Sequence, residues 1–422
     1  MRMGISLGLQ QRGGGASDAI SAALATRAGI AVKPWKYATT LFTDTAGTVA
    51  ATQAGDIIAV AKCLDKGLQY QQTTLANRPI LTRWPKAGKR NLLTWTEDFS
   101  NVAWIKSSAT MTSGVTDPDG GSTAWTLTAT GANADLTFVL AVTSGTSKTY
   151  TEGLWLKRRT GVGDVSFINP NSGGLTPIAV TSSWAFYSVT GAGAASTSIL
   201  GVRCATSGDA IDVWHPQLEE SAAATAYQKV TNAQDITESG ESDCWGLTFD
   251  GTNDGMATAA TLNLSGSDAV GVFAGVTKLS DAAWGAILEH TASIDTNAGG
   301  VMLAHSISAD DTFVFESKGT ALSTASASGY TAPQNAMLTG LGDISADTAI
   351  LRRNGTQVAT SAGDQGTGNY ANATSYIGNR GNASLRMNGI LWGSCIVSTL
   401  ATTDTAIIAA IETQISANTP GV

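Results

Sequence analysis

Charge is what this sequence has least of: Asp, Glu, Lys and Arg make up 14% of its 422 residues, where about 25% is ordinary. Disordered chains combine high charge with low hydrophobicity, and here hydrophobic residues hold at 43%. The net charge of −8 disfavours polyanionic partners, so no nucleic-acid binding is expected. No run approaches the ~18 to 20 apolar residues of a membrane span, and no membrane insertion is expected. Cysteine is scarce too. Cys63, Cys204, Cys244 and Cys395 lie far apart without CxxC or zinc-type spacing, so they read as free thiols; a Cys63 to Cys244 bridge stays open as an alternative. The stretch Met1 to Leu9 is too short an apolar core for a signal peptide before Gln10 and Gln11 interrupt it. A protein working outside a cell would then leave by another route.

What fills the space is Thr, Ser, Ala and 47 glycines. They stand in short runs broken at intervals of roughly eight to twelve residues by Gly, Asn or Asp, the pattern of many short strands joined by tight turns. Residues 1–35 differ. Gly13-Gly14-Gly15 makes a joint, after which Ser17 can cap a short helix carrying Ile20, Ala23, Leu24 and Arg27 and ending at Gly29. So short a helix needs a partner surface, which suggests an anchor or oligomerisation segment; a frayed terminus is the alternative.

From 90 to 232 the pattern is almost purely β. In Tyr150 to Lys157 the alternation puts Leu154 and Leu156 on the core face and Trp155 with Lys157 on the other. Trp184 to Thr190 and Ile211 to Trp214 read as further strands. A second β series runs from 245 to 398, with strands near 247–249, 270–276, 286–289, 301–305, 313–315 and 376–377. Within it Ile350 to Val358 is a hairpin, because Asn354-Gly355 supplies the two positive-φ residues of a type I′ turn. The tail switches to helical period, with Ile408, Ile411 and Ile415 on one stripe, Asp404 at the start and Pro420 past the end.

Two segments resemble known families. Asn91-Leu92-Leu93 with Glu97, Phe99 and Trp104, the turn Asp117-Pro118-Asp119-Gly120, and the closing Trp214-His215-Pro216-Gln217-Leu218-Glu219 with Ala226-Tyr227 resemble a carbohydrate-binding-module-like jelly-roll of tailed-phage virion proteins. His215 stands where that pattern has a small residue. Phe249-Asp250-Gly251, the Arg353-Asn354-Gly355 hairpin, Tyr376-Ile377-Gly378-Asn379 and the final helix resemble the laminin-G-like, concanavalin-type lectin fold. Leu41 to Thr48 and Asn77-Arg78-Pro79 are also similar to phage virion proteins. The resemblance implies an all-β chain of two antiparallel β-sandwiches, jelly-roll and concanavalin-like, with a short N-terminal anchor helix and one C-terminal helix. The implied domains are a 1–35 anchor, a concanavalin-like sandwich from 36–88 plus 233–422, and a jelly-roll inserted at 89–232.

Catalytic signatures are missing. A glycosidase needs two carboxylates facing one substrate, and Glu238, Glu241 and Asp243 sit without strand alternation in a Ser/Gly-rich connection, read as a solvated loop. No HExxH, GxSxG or phosphate-cradling loop followed by a helix occurs, although Gly363 to Gly368 is Gly-rich. No catalytic residue, no metal site and no cofactor is expected; the one candidate ion is calcium at Asp250, Asn253 and Asp254. Neutral sugars are held by aromatic faces and by hydroxyl and amide groups. The glycan-binding candidates are Trp155, Lys157, Trp104, Trp184 and His215, with Trp155 the tryptophan expected to be exposed. The cluster Lys157-Arg158-Arg159 is a solvated strand end or, alternatively, a contact for anionic sugars.

The resemblance implies a non-enzymatic virion protein, a head spike, fibre or tail component, that binds host capsule or another surface glycan. Its other partners would be virion proteins held through residues 1–35 and further copies of itself. It would assemble in the host cytoplasm and work on the particle surface. The alternatives are a purely structural decoration or adaptor protein, and a capsule depolymerase.

Overall fold

A computed structural model describes residues 18–141, 148–169, 174–192, 197–306 and 310–422. The Gly13 to Gly15 joint and the Ser17 cap lie outside the described residues. The chain divides into two compact units, one from residues up to Leu81 and from Trp245 to Pro420, the other from Thr82 to Cys244. The boundaries fall inside two strands, Ile80–Pro85 and Asp243–Asp250, and no change of composition marks them.

The discontinuous unit is a β-sandwich. In one sheet Asn388–Ser398 is flanked on one side by Ala269–Lys278 and on the other by Asp243–Asp250 along its first half and Gly29–Val32 along its second. Gln334–Asp343, Thr348–Arg353 and Thr356–Ser361 continue it. The facing sheet has nine strands, among them Gly285–His290, Val301–His305 and Phe313–Lys318. Phe249, Phe273, Phe313, Phe315 and Leu338 fill the interior, all fully buried. Gly340 is required here because a Cβ would stand 2.0 Å from the Phe315 ring.

Strand alternation and turn chemistry locate these elements well. The expected hairpin forms with Asn354 at φ 50 and Gly355 at φ 78. The terminal helix spans Thr405–Ala417 and buries Ile408, Ile411 and Ile415. The expected N-terminal helix forms as Ala19–Thr26. It packs on the terminal helix, with Ile20 and Leu24 fully buried. Asp18 caps it by accepting from the Ser21 amide at 3.2 Å. Gln414 donates to Asp18 at 2.7 Å and accepts from the Ile20 amide at 3.0 Å. The partner surface so short a helix needs is thus within its own chain.

The Thr82 to Cys244 unit carries a sandwich of two five-stranded antiparallel sheets. One runs Ala185–Ala192, Thr149–Thr160, Ala210–Glu219, Ala124–Ala129, Ala109–Val115; the other runs Leu175–Ile178, Val165–Ile168, Thr197–Cys204, Ala134–Ala141, Trp104–Ser107. Leu154 and Leu156 point into the core with Leu127, Phe167, Val202 and Ile211. Each such side chain contributes about 1.5–3 kcal/mol by leaving water. The all-β reading holds in both units, and all four cysteines are free and buried. No helix among the described residues is long and apolar enough to cross a membrane.

Candidate functional site

In the Thr82 to Cys244 unit, an extra residue in one strand builds a cleft. Ala210–Glu219 pairs with Thr149–Thr160 so that Gly153 faces Gln217 but Trp155 faces Trp214. His215 is the inserted residue of this bulge and takes a φ of 50, a conformation that costs a non-glycine residue of order 1 kcal/mol. A small residue would relieve that strain. His215 accepts it and gains two ring partners: its imidazole stacks on Trp214 at 3.3 Å between centroids and on Tyr227 at 3.7 Å, with interplanar angles of 17° and 13°.

The sequence motifs hold this stack in place. Asn91, fully buried, donates to the carbonyls of Pro216 at 3.1 Å and Gln228 at 2.9 Å, and accepts from the amides of Leu93 and Leu218. Gln217 donates to the Ala226 carbonyl at 2.9 Å and accepts from the Gln228 amide at 2.7 Å. Glu219 accepts from the Thr225 amide at 2.7 Å and hydroxyl at 2.6 Å. These bonds fix the chain on either side of Tyr227, whose hydroxyl lies 2.7 Å from that of Thr96. Trp214 is anchored by its indole N–H, which donates to Thr123 at 2.7 Å.

Glu97, Asp119, Trp214, His215, Ala226, Tyr227, Lys229, Thr237, Glu238 and Ser239 line a cavity of about 520 Å³, within the range of small-ligand sites. Glu97 stands 3.5 Å from His215 Nε2 and pairs with Lys229. The hydrogen bond from His215, above all, holds the Glu97 carboxyl below its usual range, so it is an acceptor at neutral pH. Glu238 accepts from Arg90 at 2.6 Å and from Gln228 at 2.8 Å. The Asp117-Pro118-Asp119-Gly120 turn is tied by the Asp117 carboxylate, which accepts from the amides of Asp119, Gly121 and Thr123. That turn presents Asp119 at the rim.

Of the expected glycan contacts, His215 alone lines this cleft. Trp104 is 3% exposed and belongs to the core, packed on Phe99 and Phe138 with its N–H donating to Trp95. Trp155 is half-buried, edge-on between Phe186 and Trp214 at 6.0 and 6.3 Å; cross-strand neighbours larger than average cover it, which strand parity cannot reveal. Lys157 lies over the half-buried Trp184 ring at 5.9 Å and 4.0 Å from Asp212. Arg158 and Arg159 pair with Asp209 and Asp212 at 3.3 and 2.7 Å, so two carboxylates offset most of the basic cluster's three charges. Glu238 is likewise not a solvated loop residue. Tyr227, Glu97, Asp119 and Lys229 were not singled out as contacts, although all but Lys229 stand in the jelly-roll motifs.

The other unit holds the two remaining histidines, the Asp250 to Asp254 segment and the Gly-rich loop. His290 and His305 sit on adjacent strands but at opposite ends of the pairing, and burial holds both down to about 4. Asp250 accepts from the amides of Thr252, Asn253 and Asp254, while burial pushes Asp254 up to about 7. Gln365, in the Gly-rich loop, is fully buried and hydrogen-bonds Ser317 and the Asp343 carbonyl. Among the described residues no cluster of three or more His, Cys, Asp or Glu is placed to hold a metal ion.

No family model and no curated protein matches the chain. Solved structures it is similar to include Ruminococcus gnavus IT-sialidase CBM40 bound to alpha2,3 sialyllactose, at 14% identity and TM-score 0.28 over 35% of this chain and 83% of that one. The heptameric SAP-like pentraxin from Limulus polyphemus is 13% identical at TM-score 0.29, over 38% and 80% of the two chains. The CBM22-1-CBM22-2 tandem domain from Paenibacillus barcinonensis Xyn10C is 12% identical at TM-score 0.26, over 75% and 99%. Likeness at these TM-scores carries no argument about what this chain binds.

Proposed function

We propose that this chain is a glycan-binding protein whose site is the cleft around His215. The observation that carries the reading is the pair of half-buried rings His215 and Tyr227, backed by the buried Trp214 and set beside carboxylates in one cavity: partly exposed aromatic surface for sugar C–H groups, and fixed acceptors for hydroxyls. Binding is favoured over hydrolysis because Glu97 is kept ionised and Glu238 is held by Arg90; a glycosidase needs one carboxyl kept protonated as the acid. On the sequence resemblance, the setting is the surface of a tailed-phage or phage-like particle, and the ligand a host polysaccharide. The attachment once expected of residues 1–35 then excludes Ile20 and Leu24, which are committed to the core.

The test is retention of the full chain on immobilised capsule and lipopolysaccharide from a panel of hosts. Tyr227→Ala should abolish retention while the melting profile shows a folded protein. Absence of binding across the panel would leave a structural decoration role. Release of reducing ends from capsule, lost on changing Glu97 or Glu238, would make the protein a depolymerase.

A further inference from the structure

We infer that the cleft selects a sugar carrying a free ammonium group, an amino-sugar polymer, and rejects uronic and sialic acids. This rests on the glycan-binding reading and adds the class of ligand. Three carboxylates line the cavity, Glu97, Asp119 and Glu238, against one cationic side chain, Lys229. Lys229 is taken by Glu97, and Glu238 is matched by Arg90 from outside the lining. Asp119 is exposed at the rim and has no ion pair among the described residues. One negative charge is therefore left unopposed where a ligand enters.

The aromatic walls act in the same direction. Tyr227, half-buried, lines the cavity with one ring face stacked on His215, and a cation near an aromatic ring face is attracted where an anion is repelled. An acidic sugar would instead bring its carboxylate towards Asp119, whose charge no ion pair among the described residues answers, and like charges brought together in a partly desolvated cleft suppress binding. The cationic cluster Lys157 to Arg159 is offset in part by Asp209 and Asp212 and does not line the cavity. The chain's net charge of −8 adds a long-range field of the same sign.

The experiment is calorimetric titration of the full chain with three oligosaccharides: deacetylated chitosan oligomers, their N-acetylated counterparts and oligogalacturonate, at a pH where the amine is protonated. The amino oligomer should bind tightest, weaken with salt and lose about tenfold in Asp119→Asn, a change equivalent to about 1.4 kcal/mol. Asp119→Lys should reverse the order of the amino and uronate arms. Because Asp119 is exposed, neither variant disturbs the core, and a melting curve verifies this.

Tyr227→Ala, which changes no charge, should also abolish binding of the amino oligomer. Retention in that variant would mean adsorption elsewhere on an acidic surface and would overturn the inference. Uronate binding as tight as the amino oligomer, or no binding of the amino oligomer, overturns it as well. Neither result touches the glycan-binding reading, which stands or falls on the host polysaccharide panel.

Discussion

Both units bury ionisable groups, but only the Thr82 to Cys244 unit also sets charged side chains around the His215 cavity. In the discontinuous unit Lys278, Glu289, His290 and His305 are all 0–1% exposed and sit inside the sandwich. Lys278 lies 2.6 Å from Asp281. Glu289 accepts from Arg380 at 2.9 Å and from the Ile294 amide at 2.7 Å. In the Thr82 to Cys244 unit Glu97, Asp119 and Lys229 stand at an open cavity. Burial, the largest influence, shifts Glu289, His290 and His305 in the one unit and Glu152 in the other, whereas the candidate site is marked by half-buried aromatic rings and unbalanced charge. A perturbed carboxyl or imidazole alone does not locate a site.

The comparison breaks most sharply at Arg380. Arg380→Ala leaves Glu289 buried without its ion partner, which should cost about 3–5 kcal/mol at about pH 8. Burial, the largest influence, raises Glu289 to about 7. The folded state then binds more protons than the unfolded one between the ordinary carboxyl range and about 7, so stability from this group is present in acid and lost as pH rises. The penalty of Arg380→Ala should accordingly shrink at about pH 5. Equal losses at both pH values in denaturant titration would refute the coupling.

An effect of the same sign is expected inside the other sandwich. Glu152 is 4% exposed, and one of its carboxyl oxygens has no hydrogen-bond partner. Burial pushes its carboxyl well above the ordinary range. Glu152→Gln is neutral at every pH, so it should gain on the native protein as pH rises, by roughly 1.4 kcal/mol for each pH unit above the carboxyl range over which the native acid stays protonated. Parallel stability curves across pH would show that Glu152 does not hold a proton.

His215→Gly separates strain from function. Glycine relieves a positive-φ cost of about 1 kcal/mol while deleting the middle ring of the stack. Stability should stay within about 1 kcal/mol of the native value and glycan retention should fall by about tenfold. Unchanged retention would remove His215 from the site. The smallest effect belongs to Lys157→Ala: this side chain is outside the cleft, so retention should not change and stability should move by less than about 0.5 kcal/mol.

Much of the architecture was legible because it is written locally. Leu154 and Leu156 alternate with polar neighbours, Asn354-Gly355 demands a type I′ turn, and Ile408, Ile411 and Ile415 follow helical spacing. The helix of Ala19–Thr26 was legible as a helix and not as part of a core, because its partner surface lies about four hundred residues away in sequence. The cleft was half legible. Asn91, Asp117, Gln217, Glu219 and Tyr227 were visible as motif positions, yet their roles depend on hydrogen bonds between segments distant in sequence. Trp155 shows the limit: parity gives the face of a strand but not the size of the neighbours standing on it.

By itself, then, the sequence determined an all-β chain, its turns, its terminal helix and the acidic, charge-poor character of its surface, since each follows from periodicity or composition. Tertiary structure alone decided that His215 bulges out of its strand, that its ring joins Trp214 to Tyr227, and that Asp119 has no counter-charge among the described residues. Such facts depend on register across strands and on which charges meet, and both are set only when distant segments pack together.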